Sequence, residues 1–412
     1  MTLRPSTRAI ALALATSTML LTPAFAEEGS EPGFKLPAAP SYEGDGWSIE
    51  LSGRLNYDYT SADADVAPGF DVDDTELRRL GLGVSGTLGS QLKYKVEVQT
   101  DESDEVYFED AYVEFAPTGS KMKFKVGQQR TPNSLDEQTS SRFTSTLERA
   151  AFTDAFQFNR RVGVTASTSG KAYTLTAGLF GGNLEGGNAG TGFVAAARGT
   201  YTPVMTDETI VHLGASVRYR ELDEDEEGLA RYRQRPFTHL PGRIISTGRV
   251  GDSDMFYGVE AAMIQGPLWV SAEYGITQAD ATTGSDPDFN GGYIEAGGFI
   301  GGHKVYKGGK FDRPVVDRPV TEGGLGALSG VVRYDQVDLR DGSFDGGKLD
   351  TFIVGVDWWP TKHSRLGVNY FNADASLGTS TSGLDSNFAA LVTLGETDET
   401  VDGFVARLQF DF

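Results

Sequence analysis

The stretch QLKYKVEVQ, residues 91–99, decides the fold because its polar and apolar side chains alternate without interruption. Lysine, glutamate and glutamine take the odd positions, and leucine, tyrosine and valine take the even ones. Side chains of a β-strand point alternately to opposite faces, so this stretch predicts a strand with one wet and one apolar face. The closing stretch GFVARLQFDF, residues 403–412, has the same period.

The same alternation recurs along the chain and predicts about sixteen antiparallel strands, each long enough to cross a bilayer at a tilt. A closed sheet is the only strand-based structure that pairs every backbone group within lipid, so we predict an all-β transmembrane barrel. A periplasmic β-sandwich or solenoid is the alternative, but it would rarely end in an aromatic residue. The predicted strands are 47–60, 76–88, 91–101, 105–116, 121–129, 161–169, 171–182, 192–202, 209–221, 254–265, 267–279, 290–302, 325–338, 349–359, 363–374 and 400–412.

Connections between the predicted strands alternate in length. Gly89-Ser90 and Ser169-Gly170 indicate tight turns, whereas other connections are long: 60–75, 130–160, 222–253 and 375–399. Short periplasmic turns and long external loops are typical of outer-membrane barrels. Segment 303–324 breaks this pattern, because it is long and falls on the periplasmic side. Either the strand count fails there or this segment has a function of its own.

The first 26 residues are predicted to be a secretory signal. Arg4 and Arg8 precede the apolar stretch 9–21, and Ala24-Phe25-Ala26 fits an A-x-A cleavage site. Residues 27–46 follow as a predicted flexible periplasmic leader, and the barrel is predicted to occupy 47–412. No later run of about eighteen apolar residues predicts a transmembrane helix. We therefore expect export to the outer membrane of a Gram-negative bacterium.

Composition supports the barrel and excludes several function classes. The 52 glycines, 24 phenylalanines and 16 tyrosines suit strands, turns and interfacial aromatic girdles. The absence of cysteine excludes disulfides and thiolate metal sites, and the net charge of −22 argues against a nucleic-acid partner. The sequence has no G-x-S-x-G or H-E-x-x-H motif, and its 4 histidines are scattered. We predict no enzymatic activity, no cofactor and no metal site.

The segment KVGQQRTPNSLDEQTSSRFTSTLER, residues 125–149, closely resembles the strand and inward-folding third loop of the phosphate-selective porin O/P family. LRRLGLGVSGTLG at 77–89, EDAYVEF at 109–115, TFIVGVDWWP at 351–360 and the C-terminal stretch at 403–412 are also similar. The resemblance runs from about Trp47 to Phe412. It implies a homotrimeric outer-membrane barrel of 16 strands, a constriction loop at 130–160 inside the lumen, and an anion-favouring pore lined with Arg and Lys. One departure is that the basic series is thinner here and is interrupted by carboxylates.

Alternation along the strands assigns many charged side chains to the wet face. With three arginines of the constriction loop, we predict these to line the pore and bind anions: Arg54, Arg79, Lys93, Lys95, Lys121, Lys123, Lys125, Arg130, Arg142, Arg149, Arg161, Arg218 and Arg220. Arg198, Arg333, Arg365 and Arg407 share that face. So do the carboxylates Glu50, Asp58, Glu97, Asp110, Glu114, Glu260, Glu273, Glu295, Asp335, Asp357 and Asp411. Clustered cations in a narrow tube favour anions, but neighbouring Lys and Glu would also pair simply to solvate the wall.

Two inserted segments have open interpretations. Arg130, Arg142 and Arg149 facing the basic wall would form an anion eyelet, while Asp136 and Glu137 would alternatively anchor the loop to wall lysines. Segment 303–324 would form either a basic exit beneath the lumen or a solvated turn. Its basic residues are His303, Lys304, Lys307, Lys310, Arg313 and Arg318.

The sequence thus predicts a passive channel that prefers small anions, such as phosphate or related oxyanions. Its expected partners are two further copies of the chain, outer-membrane lipid, lipopolysaccharide and small anionic solutes. Two alternatives remain open. One is a weakly selective general porin whose wall carboxylates cancel the basic charges, and the other is a structural or adhesive protein with an occluded lumen.

Overall fold

A computed structural model describes residues 40–67, 70–100, 105–184, 192–222 and 229–412. The predicted signal, 1–26, and the first part of the predicted leader, 27–39, lie outside these residues. No helix among the described residues combines the length and the apolarity needed to cross a membrane.

The described chain consists mainly of strands, with three short helices and one 3-10 turn. In chain order they are β1 (Ser41–Gly44), β2 (Trp47–Ala64), β3 (Asp71–Leu88), β4 (Leu92–Thr100), β5 (Val106–Phe115), β6 (Met122–Arg130), α1 (Leu135–Gln138), α2 (Ala151–Ala155), β7 (Arg160–Ser169), β8 (Tyr173–Phe180), β9 (Phe193–Met205), β10 (Thr209–Glu221), β11 (Arg233–Gln234), β12 (Ile245–Ser246), β13 (Ser253–Gln265), β14 (Leu268–Asp280), β15 (Asp288–Ile300), β16 (Gly302–Lys307), β17 (Lys310–Val316), the 3-10 turn Val320–Glu322, β18 (Ala327–Asp341), β19 (Phe344–Thr361), β20 (Ser364–Ser376), α3 (Ser386–Leu394) and β21 (Asp398–Asp411).

Sixteen of these strands close into an antiparallel barrel, as predicted. They are β2 to β10, β13 to β15 and β18 to β21, and the last strand pairs with the first from Arg54–Asp411 to Ala64–Val401. Apolar side chains such as Leu213, Val259 and Ile294 are exposed on the outer face, and alternate side chains face the lumen. The period-two pattern therefore gave the strand count, the strand order and the general orientation of the side chains.

Part of the predicted leader belongs to the sheet. β1 pairs with the start of β2, and the backbone N–H of Leu51 donates to the carbonyl of Pro40. Gly53, two residues later, exchanges two backbone hydrogen bonds with Phe412. β1 and the C-terminal residue thus share one edge of β2, so residues 41–44 are not a flexible leader.

Several β-bulges interrupt the strict alternation, and two of them lie within β2 to β5. In β3, Asn56 pairs with Arg79 while Asp58 pairs with Glu76, so one extra residue lies between those pairs. In β5, the register shifts opposite Glu97, between the pairs Val96–Ala111 and Val98–Phe108. A bulge places two successive residues opposite one, which turns neighbouring side chains to the same face.

The periplasmic segment 303–324 has a defined structure. The predicted number of barrel strands before and after it is correct. Residues 302–316 form the hairpin β16–β17, which folds up into the lumen. The tip residue Gly309 lies against Thr174 and Thr200 on the inner wall, and its positive φ of 82° is one that glycine adopts without strain. The interpretation as a solvated turn is therefore wrong for these residues.

External loops fill the other end of the lumen. The third external loop, residues 131–159, contains α1 and α2 and is called L3. The described part of the fifth, residues 229–252, contains β11 and β12 and is called L5. The eighth, residues 377–397, contains α3, where Asp385 caps the helix by accepting from the N–H of Asn387. These loops form one apolar cluster with the upper barrel wall, including Phe152, Phe156, Tyr232, Ile244 and Phe388.

Candidate pore and constriction

L3 is attached to one side of the barrel by carboxylates. This side, β13 to β15 and β18 to β21, is called the docking wall. Glu273 accepts hydrogen bonds from the backbone N–H groups of Leu135 at 2.8 Å and Asp136 at 2.6 Å. Asp335 accepts from the N–H of Ala151 at 2.9 Å. Buried backbone N–H groups need acceptors, so these two wall carboxylates hold the loop at α1 and α2.

A buried charge network holds the centre of L3. The guanidinium of Arg333 lies 2.7 Å from Glu295 and 3.5 Å from Asp136. Glu295 also accepts from the hydroxyl of Ser145 in L3 at 2.7 Å. The expectation that Asp136 and Glu137 bind wall lysines is wrong, because both meet arginines. Both carboxylates and arginines of the wall anchor the loop.

Arginines of the last two strands bind L3 through its carbonyl groups. Arg365 donates to the carbonyls of Thr144 and Ser145 at 3.1 and 3.3 Å, and pairs with Asp357 at 2.8 Å. Arg407 donates to the carbonyl of Leu147 at 2.5 Å. It also pairs with both Asp58 and Glu148 at 2.6 Å. Arg407 therefore joins β21, β2 and L3 in one contact.

The hairpin β16–β17 supports L3 from below. Lys304 donates to Ser145 at 2.5 Å, and its ammonium lies 4.4 Å from the ring centres of both Trp269 and Phe311. Arg313 stacks 4.7 Å from the ring of Phe143 in L3. The two insertions, one from each end of the barrel, meet at residues 143–145.

The remaining space lies between L3 and the opposite side, β2 to β7, which is called the open wall. A cavity of about 550 Å³ occupies the periplasmic half and is called the inner cavity. Its described lining contains eight basic and five acidic side chains. The basic residues are Arg54, Lys95, Lys125, Arg130, Arg142, Arg160, Lys310 and Arg313, and the acidic ones are Glu50, Glu97, Glu109, Asp110 and Asp312. Burial lowers the pKa of Lys310 to about 8, with Arg130 and Lys125 acting in the same direction.

A smaller cavity of about 180 Å³ lies on the external side and is called the outer cavity. Arg130 of the inner cavity and Arg149 of the outer cavity both pair with Glu137, at 3.6 and 3.0 Å. This row of three charged side chains separates the two cavities. The charged residues around the outer cavity are Arg78, Arg79, Arg149, Arg235, Glu137, Glu148 and Asp154.

L5 adds an arginine series at the external mouth that the sequence interpretation missed. Arg235 lies 3.5 Å from Asp154 of L3, and Arg243 also pairs with Asp154. Burial tends to raise the pKa of Asp154, but Arg243, Arg235 and Arg233 outweigh it and lower that pKa. The signal was present as ARYRQR at 230–235, where arginine occupies every second position. It was overlooked because these residues lay in a predicted loop.

The structure divides the predicted pore-lining residues into three groups. Arg54, Lys95, Lys125, Arg130 and Arg142 line the inner cavity, and Arg79 and Arg149 line the outer one. Arg161, Arg218 and Arg220 are buried in structural contacts and line neither of these two cavities. Arg218 and Arg220 both pair with Asp254, and Arg161 donates to the carbonyl of Gly181.

The lysine cluster is only partly in the pore. Among the described residues, Lys93, Lys121 and Lys123 are exposed and lie outside both cavities, so their assignment to the pore lining stays a prediction. They lie at or next to the periplasmic ends of β4 and β6. The two cavities are lined instead by five other basic residues: Arg78, Arg160, Arg235, Lys310 and Arg313. No group of three or more His, Asp or Glu side chains in the described part of the chain is placed to hold a metal ion.

Comparison with known proteins agrees with this architecture. The family profile described as phosphate-selective porin O and P matches residues 49–412. An uncharacterised protein of Caulobacter vibrioides is 34% identical over 97% of this chain and 81% of its own length. Porin O of Pseudomonas aeruginosa is 27% identical, with 89% of each chain covered.

Solved structures share the fold at low sequence identity. The anion-selective porin from Comamonas acidovorans superposes with a TM-score of 0.57 at 16% identity, over 89% of this chain and all of that one. The trimer form of OmpT from Vibrio cholerae superposes with a TM-score of 0.53 at 12% identity, with 89% and 100% covered. With the profile match across almost the entire barrel, the chain belongs to the phosphate-selective porin O and P family of the Gram-negative outer membrane.

Proposed function

We propose that the protein is a passive outer-membrane channel that favours small anions, phosphate or related oxyanions among them. One observation carries this proposal: the inner cavity is lined by eight basic and five acidic side chains. Fixed positive charge in a narrow tube raises the local concentration of anions and excludes cations. The arginines of L5 extend the same sign of charge to the external mouth.

The position of the wall carboxylates argues against a non-selective porin. In the alternative of a weakly selective porin, Glu273, Glu295 and Asp335 would offset the basic charges, but they bind the backbone and side chains of L3 on the docking wall. Asp357 and Asp58 each pair with a buried arginine. These carboxylates therefore contribute little negative potential to the path along the open wall.

We infer a homotrimer in contact with outer-membrane lipid and lipopolysaccharide. The family resemblance and the trimer form of OmpT support this assembly, and the exposed apolar outer face is suited to both lipid and subunit contacts. Cross-linking of the detergent-extracted protein, followed by gels run with and without heating, tests it. A single monomeric band under all conditions would contradict the trimer.

Planar-bilayer recording tests the channel function. In a gradient of potassium chloride, the wild-type protein should give a reversal potential displaced toward chloride, and added phosphate should reduce the chloride current. The double variant K125Q/K310Q removes two cavity cations that form no ion pair with a carboxylate among the described residues, and should move the reversal potential toward zero. Lys171, exposed in a periplasmic turn, provides the matched control K171Q.

The outcomes separate the competing functions. A wild-type reversal potential near zero would support a weakly selective porin. Absence of conductance from correctly folded trimers would support a structural or adhesive role. Equal shifts in K125Q/K310Q and K171Q would remove the inner cavity from the selectivity mechanism.

A further inference from the structure

The bulge in β5 brings three carboxylates together on the open wall. Strict alternation points Asp110 to the lumen and Glu109 to the lipid, but the shifted register turns both into the inner cavity opposite Glu97. Glu97, Glu109 and Asp110 are called the carboxylate triad. Three acidic side chains beside the path of an anion require an explanation beyond a simple positive lining.

Each member of the carboxylate triad is bound by cations of the same cavity. Glu97 lies 2.6 Å from Lys95 and 2.9 Å from Arg142. Asp110 lies 2.8 Å from Lys95 and 3.0 Å from Arg160.

Glu109 completes the set. It lies 2.5 Å from Arg160 and 4.0 Å from Arg54. Lys95, Arg142 and Arg160 thus each hold a carboxylate before any solute arrives.

These cations remain accessible to a solute. The side chains of Lys95, Arg142 and Arg160 keep 25%, 16% and 18% of their surface exposed, whereas Arg333 and Arg365 on the docking wall keep none. An anion in the inner cavity can therefore approach the paired cations. The anion must compete with the carboxylate triad for the N–H groups of these cations. It is also repelled by the negative charge of the triad.

We propose that the carboxylate triad is a specificity-determining element that limits how long an anion, above all a divalent one such as hydrogen phosphate, stays in the inner cavity. This inference rests on the proposed anion channel. Conduction requires binding strong enough to admit an ion and weak enough to release it. The triad lowers the affinity of the open wall and so favours release, and its effect grows with the charge of the solute.

Amide variants test this role because they keep the shape of the side chain and remove its charge. One elementary charge about 8 Å from a divalent anion in the water-filled path, at an effective dielectric constant of about 80, changes the affinity for that anion by about fivefold. In D110N and in E109Q, the phosphate concentration that halves the chloride current at pH 8 should therefore fall by about fivefold. The chloride-over-potassium permeability ratio should rise, and single-channel current in phosphate should decrease.

A purely structural role predicts the opposite sign. If the triad only fixed the arginines in place, its removal would let them move, and both phosphate block and anion selectivity would weaken. Asp350, which pairs with Lys348 outside both cavities, gives the matched control D350N, with no change expected.

Folding and phosphate block are measured separately. Ordinary trimer migration on unheated gels identifies folded variants, and E109Q and D110N provide two independent chances to obtain one. Unchanged or weaker phosphate block in a folded variant overturns the inference while leaving the channel function intact. A wild-type protein without anion preference overturns the proposed function itself.

Discussion

On the docking wall, glutamate and aspartate accept hydrogen bonds from L3, whereas on the open wall the same residue types pair with cations beside a cavity. Glu273 and Asp335 bind backbone N–H groups of the loop, and Glu97 and Asp110 bind Lys95. All four face the inside of the barrel. What distinguishes them is the partner, which is a backbone N–H group of L3 on the docking wall and a cation of the inner cavity on the open wall.

This difference shows that side-chain direction and contact with solute are separate properties. Alternation determines which face a residue occupies, but a loop folded into the lumen decides which part of that face remains wet. The docking wall contributes to the stability and position of the constriction, and the open wall contributes to the electrostatic potential. The net charge of the whole lumen therefore describes neither side well.

The largest expected effect comes from breaking the docking wall. R333M leaves Glu295 and Asp136 buried without their shared cation, and loss of one partner of a buried ion pair costs about 3–5 kcal/mol. We expect a lower midpoint of guanidinium-induced unfolding in detergent. We also expect a larger and noisier single-channel conductance, because L3 is held less firmly.

Arg340 supplies the matched control for this variant. It pairs with Asp338 while 43% of its side chain is exposed, and exposed pairs contribute about 1 kcal/mol or less. R340M should therefore leave both unfolding and conductance nearly unchanged. Similar unfolding midpoints for R333M and R340M would show that the docking wall does not hold L3 as described.

An intermediate effect should appear on the open wall as a pH dependence. The pKa of Lys310 is lowered to about 8 by burial and by Arg130 and Lys125, while Asp312 and Asp110 oppose the shift. Lys310 is therefore charged below this pH and neutral above it. The chloride-over-potassium permeability ratio should fall between pH 7 and pH 9.

Substitution of Lys310 isolates that dependence. In K310Q the permeability ratio should already be low at pH 7 and should change little up to pH 9. The pKa of Lys304 is also lowered by burial to about 8, but its ammonium packs against Trp269 and Phe311 and not along the inner cavity. An unchanged pH profile in K310Q would assign the titration to another group.

The smallest effect is expected where the hairpin β16–β17 meets the wall. The hydroxyl of Tyr306 hydrogen-bonds to Nδ1 of His212 at 2.7 Å and to Thr202 at 3.1 Å. Y306F should lower the free energy of unfolding by about 1 kcal/mol and leave the reversal potential unchanged. Y334F, which removes an exposed hydroxyl beside Asp350, is the control. A shifted reversal potential in Y306F would mean that the hairpin also controls selectivity.

Much of the fold could be predicted from the sequence because the physical signal is local. Lipid requires an apolar residue at every second position, and stretches such as 91–99 and 403–412 satisfy that requirement without reference to the rest of the chain. The strand count was correct even at 303–324, where the long connection seemed to contradict it. The resemblance of residues 125–149 predicted a third loop folded into the lumen.

The site was less predictable because it depends on contacts between distant segments. A bulge of one residue reverses the parity rule, as it does at Glu109, and the sequence carries no distinct mark of it. The docking of L3 on Glu273 joins residues more than a hundred positions apart. The sequence therefore predicts which face of a strand a charged residue occupies more reliably than whether that residue contacts water in the pore.

The contact made by Arg407 links assembly to permeability. It lies where the last strand meets the first, and it also binds Leu147 and Glu148 of L3. Until β21 pairs with β2, L3 lacks one of the contacts that hold it in place. One guanidinium thus takes part both in the closure of the barrel and in the positioning of the loop that narrows it.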